Sequence, residues 1–179
     1  VVDLSRIAAS LTDSSDDGPL PVERWNPEHC GEMDLVIKAD GSWWHEGSMI
    51  TRAPLVRLFS RILRKDPEGY VLVTPAEKVT IKVEDVPFLA VDYDRTDRGY
   101  EVRTNVGDRV LIDADHPITL RHSEALGQRA PYILIRGGLE ARLDRAPYYR
   151  LVEELPVEDG ALVLRSGGAT FRLPIEADA

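Results

Sequence analysis

Cysteine is almost missing from this sequence: Cys30 stands alone among 179 residues. A lone thiol cannot close an intrachain disulfide, so a reducing compartment, with the cytoplasm as the default, is the expected setting. Long apolar runs are missing as well. No stretch approaches the roughly 18 residues that a membrane span needs. Residues Val1–Leu11 show neither the basic nor the apolar region of a signal peptide. Positive charge is in deficit, with 22 Lys and Arg against 31 Asp and Glu, a net charge of −9. Nucleic acids and anionic membranes both select for concentrated basic surface, so neither is an expected partner. The sequence has no Gly-x-Ser-x-Gly elbow, no Walker loop and no dinucleotide fingerprint. His45, Asp113, Asp115 and His116 lack zinc-site spacing, and Asp92, Asp94 and Asp97 lack that of an EF-hand. No cofactor and no metal is therefore expected.

What remains is ordinary globular composition, 43% hydrophobic and 30% charged, which argues against disorder. Leu4, Ile7, Ala8 and Leu11 lie at helical spacing and predict a short amphipathic helix. Thr12 to Pro19 reads as a loop. Asp34–Ala39 reads as a strand that turns at Asp40-Gly41, a type I′ hairpin signal, into an aromatic return strand, Ser42–Glu46. A helix is predicted from Thr51, an N-cap with Pro54 in the first turn, to Lys65. Leu55, Leu58, Phe59, Ile62 and Leu63 are its apolar stripe, and Arg57, Arg61, Arg64 and Lys65 its solvated face. Strands follow at Tyr70–Thr74, Glu77–Val83, Phe88–Tyr93, Tyr100–Thr104, Arg109–Asp113 and Ile118–Arg121. His122–Ala130 reads as a loop. Strands Tyr132–Ile135 and Leu139–Leu143 precede a helix over Arg145 to Glu154. A last hairpin joins Ala161–Arg165 to Ala169–Leu173. Three helices and ten or eleven strands make an α+β protein.

Two segments share their order of elements. A hairpin over Leu35–Trp43 precedes Arg52-Ala-Pro-x-x-Arg-Leu58, and a hairpin over Tyr132–Glu140 precedes Arg145-Ala-Pro-x-x-Arg-Leu151. Each helix then runs through an acidic-Gly stop into another hairpin. The expectation is a duplicated ββ-α-ββ unit, with residues 1–24 an N-terminal helix and linker, 25–90 the first repeat domain and 91–179 the second. A crevice between like domains suits a ligand. Arg52 and Arg145 would open equivalent helices, where a cation opposes the dipole and calls for an anion nearby. A neighbouring carboxylate such as Glu46, Asp85 or Glu140 would serve equally well.

Three further groups of residues carry candidate chemistry. Cys30 sits beside His29, but adjacent loop residues seldom face each other, and a small buried hydrophobe is the simpler reading. His45-Glu46 is a general base, a metal ligand or an ordinary hydrogen-bonded pair. The polar corners Thr74–Lys78, Asp85–Phe88 and Thr104-Asn105 suit recognition of a small polar ligand and also plain turn formation.

A series of motifs runs through most of the chain: Trp25-x-Pro-x-x-Cys-Gly31, Asp40-Gly-x-Trp-x-His-x-Gly47, Ile50-x-Arg52, Leu72-Val-Thr-Pro-x-Glu-Lys78, Asp85-x-Pro-Phe88, Thr104-Asn105 and Pro131-Tyr132 through Arg136. In these the chain resembles the bacterial family catalogued as domain of unknown function 1285. Met49 departs from the proline expected before Ile50, a change expected to alter only the entry to the helix. The resemblance implies a duplicated domain, with a C-terminal half similar to pleckstrin-homology-like folds. It implies a signalling role with a nucleotide-like ligand at the domain interface. Carried over residue by residue, it points to His45, Arg52, Thr74, Glu77, Lys78, Thr104, Asn105, Arg136 and Arg145 as ligand-binding. Arg and Lys would face phosphate, and Thr, Asn and Glu would read base or ribose hydroxyls. The expectation is a non-catalytic binding or sensor module. The alternatives are a protein-interaction adaptor using strand edges and the Trp43-Trp44 surface, and a hydrolase or transferase using Cys30 or His45.

Overall fold

The computed structural model describes residues 3–11 and 18–175; residues 12–17 of the expected loop and the Cys30 side chain lie outside the described residues. The chain divides into two units, Val1–Glu84 and Asp85–Ala179.

The first unit starts with α1 (Leu4–Leu11), whose Leu4, Ile7 and Leu11 are all buried, as the helical spacing requires. A 3-10 turn at Val22–Arg24 leads into β1 (His29–Ile37), β2 (Trp43–His45) and β3 (Ser48–Met49). Then come α2 (Ala53–Ser60), β4 (Leu63–Asp66), β5 (Gly69–Val73) and β6 (Lys78–Val83). The sheet order is β3-β2-β1-β6-β5-β4, with β1 and β6 parallel. Leu35, Ile37, Trp43, Val79, Leu72 and Leu63 fill its core with Phe59 and Ile62.

Three local expectations are corrected here. The helix predicted to Lys65 ends at Ser60, and Leu63–Asp66 is a strand instead. Its apolar stripe fits a helix, but Val73 N donates to Ile62 O at 2.9 Å, which draws the chain into the sheet. Leu63 then pairs with Leu72, and Asp66 with Gly69. The N-cap is Arg52, with no side-chain bond, and not Thr51. The Asp40-Gly41 turn also differs from type I′, because Gly41 alone of the two has positive φ (85°). Gly41 N bonds Lys38 O at 2.9 Å while Asp40 Oδ1 accepts from Ser42 N at 2.9 Å. That makes it a longer turn closed by a glycine bulge.

The second unit holds β7 (Phe88–Thr96), β8 (Gly99–Thr104), β9 (Arg109–Leu111), β10 (Ile118–Ser123), β11 (Gln128–Arg136) and β12 (Leu139–Leu143). After α3 (Arg145–Glu154) come β13 (Val157–Glu158), β14 (Ala161–Ser166) and β15 (Ala169–Pro174), a separate three-stranded sheet. The six-stranded sheet has the order β10-β11-β12-β7-β8-β9, with β12 and β7 parallel. The expected loop His122–Ala130 is mostly ladder, since the β10–β11 register runs out to Ser123↔Gln128. Only residues 124–127 turn. The small sheet approaches β8 closely. Tyr100 N donates to Ser166 Oγ at 2.8 Å, and a Cβ on Gly99 (φ 135°) would stand 2.7 Å from Ser166 Cα.

Both six-stranded sheets follow one topology: two three-stranded meanders joined by a parallel pair of the first and last strands. In this order β1 corresponds to β7, not to β11. The helix α2 joins the third strand to the fourth, whereas α3 follows the sixth. Arg52 and Arg145 therefore do not occupy equivalent places, because the short sequence match crosses the sheet repeat out of step. The result is a two-domain α+β protein with three α-helices and mixed sheets among the described residues. No helix among them is long and apolar enough to cross a membrane.

Candidate ligand site

The nine residues singled out above fall into separate groups. In the first unit, His45 lies in β2 with Nε2 at 4.0 Å from Glu46 Oε1. Arg52 is exposed at the start of α2. Thr74 is buried and shapes its own corner: Oγ1 accepts from Ala76 N at 3.3 Å and from Glu77 N at 3.0 Å. Glu77 is ion-paired with Arg6 of α1 at 3.2 Å. Lys78 Nζ meets Glu68 Oε1 at 3.0 Å and Asp66 Oδ2 at 3.1 Å, and these two carboxylates raise its pKa.

The basic stretch Thr51–Lys65 is turned inward more than expected. Arg64 forks onto Asp66 at 2.6 and 2.9 Å, and its Nη1 donates to the carbonyls of Val22 and Trp25, each at 2.7 Å. Arg61 Nη2 donates to Gly18 O at 2.7 Å. These arginines hold the segment before β1 against the sheet. A solvated helix face is thus corrected for Arg61 and Arg64, whose carbonyl partners lie in a segment distant in sequence. Trp43 is corrected too. It is 1% exposed and belongs to the core, so a Trp43-Trp44 surface does not form. Trp44 is half-buried, with Lys38 Nζ at 4.0 Å from its ring centre.

The second unit brings Thr104 and Arg136 together and places Asn105 next to Thr104 in sequence. Thr104 Oγ1 donates to Asp108 Oδ2 at 3.2 Å and accepts from Asp108 N at 3.0 Å. Arg136, at the end of β11, donates from Nε to Asp108 Oδ1 at 3.0 Å. Its guanidinium lies 4.9 Å from the centre of the buried Phe88 ring. Asn105 clamps Leu89 from both sides: Asn105 N donates to Leu89 O at 2.9 Å, and Leu89 N donates to Asn105 Oδ1 at 3.0 Å. The Arg136 fork, the Asp108 carboxylate and the Thr104 hydroxyl are thus joined in one network, with the guanidinium beside the Phe88 ring. Arg145 stands apart. Its Nε donates to Tyr149 Oη at 2.9 Å, while Asp144 caps α3.

Sequence reasoning missed Asp108, which joins Thr104 to Arg136. It also missed a second network. Asp85 accepts from Arg142 Nη1 at 2.8 Å, from Tyr132 Oη at 2.9 and 3.1 Å, and from Ser123 Oγ at 3.3 Å. The arginine between buried Ala141 and Leu143 was the available signal, since a charge inside an apolar strand needs a partner. A groove of about 630 Å³ on the first unit, lined by Val36, Tyr70, Thr80 and Lys82 among others, touches none of the nine. Among the described residues, no three His, Cys, Asp or Glu are grouped to hold a metal ion.

Two family models cover nearly the whole chain. "Domain of unknown function (DUF1285), N-terminal domain" matches residues 20–86, and "Protein of unknown function (DUF1285), C-terminal domain" matches residues 87–173. The chain belongs to the DUF1285 family. A DUF1285 family protein from Silicibacter pomeroyi DSS-3 is 39% identical, with a TM-score of 0.85, over 97% of this chain and 94% of that one. Another from Shewanella baltica OS155 is 30% identical, with a TM-score of 0.54, over 68% of this chain and 92% of that one. No curated protein matches the chain. Met49 of this DUF1285 chain lies in β3 and pairs with Trp44 of β2, so its departure from proline bears on a strand and not on the entry to α2.

Proposed function

We propose that this DUF1285 protein is a non-catalytic binding or sensor module for a small nucleotide-like anion, with a role in signal transduction. The observation that carries this reading is the convergence of Arg136, Asp108, Thr104 and Phe88. The guanidinium offers a planar fork to a phosphate. The carboxylate and hydroxyl offer partners for ribose or base groups. An incoming phosphate competes with Asp108 for Arg136, so the anion exchanges one charge-assisted bond for another and the guanidinium stays on Phe88. The likeness of residues 91–179 to pleckstrin-homology-like folds is part of the same reading. A long sheet, a small second sheet and a helix in one unit support it.

The test is a thermal-shift panel of nucleotides and phosphorylated metabolites on the full chain. A ligand present at a hundredfold over its Kd stabilises by about 2.7 kcal/mol. A compound that stabilises the wild type and fails on Arg136→Ala supports the proposal. A panel without any shift counts against it.

A further inference from the structure

Boundaries between compact units usually fall in exposed, flexible linkers where few contacts are made. The boundary here falls between Glu84 and Asp85, two residues joined by one peptide bond. Each is fastened inside its own unit. Glu84 N donates to Ile37 O at 3.0 Å, and Glu84 Oε2 accepts from Ala39 N at 2.8 Å. Both bonds hold the end of β6 against the end of β1. On the other side, the Asp85 carboxylate accepts from Arg142, Tyr132 and Ser123. A few residues further on, Leu89 is clamped by Asn105.

We infer that Glu84 and Asp85 are each clamped within their own unit, and that the Asp85 carboxylate is the lock on the second clamp. The lock is electrostatic. Arg142 is buried within an apolar strand and needs the carboxylate, and the carboxylate needs donors because water is largely excluded. Neutralising Asp85 removes the charge and leaves the length of the side chain, so it weakens the second clamp and leaves that of Glu84 in place. The chain at Asp85 then opens locally, in the manner of a low-stability segment.

A protease that cuts after glutamate reads this directly, because Glu84–Asp85 is itself such a bond. Exposed Glu124, in the turn 124–127, is the internal reference. In the full-length wild type, cleavage should be measurable but much slower after Glu84 than after Glu124. Asp85→Asn should raise cleavage after Glu84 about tenfold relative to Glu124, the change that a loss of one charge-assisted bond produces in an opening equilibrium. Wild-type cleavage at Glu84 as fast as at Glu124, or an unchanged ratio in a folded Asp85→Asn, overturns the inference. If that variant fails to fold, amide exchange of the wild type decides. Slow exchange at Glu84 and Leu89, matching β12, upholds the double clamp, and exchange as fast as in the 124–127 turn overturns it.

Discussion

The Asp85 carboxylate takes Arg142 Nη1 at 2.8 Å, and the two side chains are only 10% and 9% exposed. Tyr132 and Ser123 complete its bonding, and the Arg121 guanidinium covers the Tyr132 ring at 3.7 Å. Removing one partner of a buried pair strands the other charge, at a cost of about 3–5 kcal/mol. Asp85→Ala and Arg142→Ala should each lower stability by that order in urea unfolding of the full chain. The double variant Asp85→Ala with Arg142→Ala should lose less than the two single losses combined. Additive losses would show that the pair does not act as a unit.

Acid should weaken the first unit through Asp66. The Arg64 hydrogen bond, with help from Lys78, holds the Asp66 carboxyl below its ordinary 3.8. A carboxyl depressed in the folded state stabilises fully above its unfolded value, and that contribution is lost as pH falls through the folded value. Stability should therefore decline below about pH 4, and Asp66→Asn should be less stable at neutral pH with a shallower acid limb. Unfolding midpoints measured from pH 7 to pH 2 check the sign.

Gly99 is the tightest point between the small sheet and β8. Any Cβ there meets Ser166 Oγ and stands 2.7 Å from its Cα, at a φ of 135° that side chains rarely adopt. Gly99→Ala should destabilise by about 1–3 kcal/mol, the usual range for forced overpacking. Amide exchange should locate the loosening at Tyr100, whose N–H bonds Ser166. An unchanged melting temperature would contradict the packing described.

Trp43 separates the core from a docking surface. With 1% exposure it should behave as a core aromatic, and Trp43→Ala should cost about 3–5 kcal/mol. Its fluorescence should resist quenching by iodide, while half-buried Trp44 is quenched more. Loss of a partner protein with stability intact would restore the adaptor reading.

These residues also show how far sequence alone reached. The helix α3 was legible end to end, because Asp144 caps it and Pro147 sits in its first turn, both local signals. The helix α2 was overextended, because Ile62 and Leu63 continue a helical stripe that the sheet, by a hydrogen bond from Val73, claims instead. Thr104 and Asn105 were legible as a polar corner, and Arg136 came only from the family resemblance. Asp108 was not, since it meets Arg136 across 28 residues, and Asp85 meets Arg142 across 57. No periodicity encodes such a partner. It appears only once β11, β12, β7 and β8 stand side by side in the sheet.

The central claim is that Arg136 and its neighbours bind a small anion. Arg136→Ala removes a part-exposed pair with Asp108 at 3.0 Å, a change worth about 0–1 kcal/mol, so the variant should fold. The most direct measurement is the thermal-shift panel of nucleotides and phosphorylated metabolites run in parallel on the wild type and on Arg136→Ala. The account predicts a concentration-dependent shift in the wild type that is lost in the variant. A panel that shifts neither protein, or a shift of equal size in both, contradicts it.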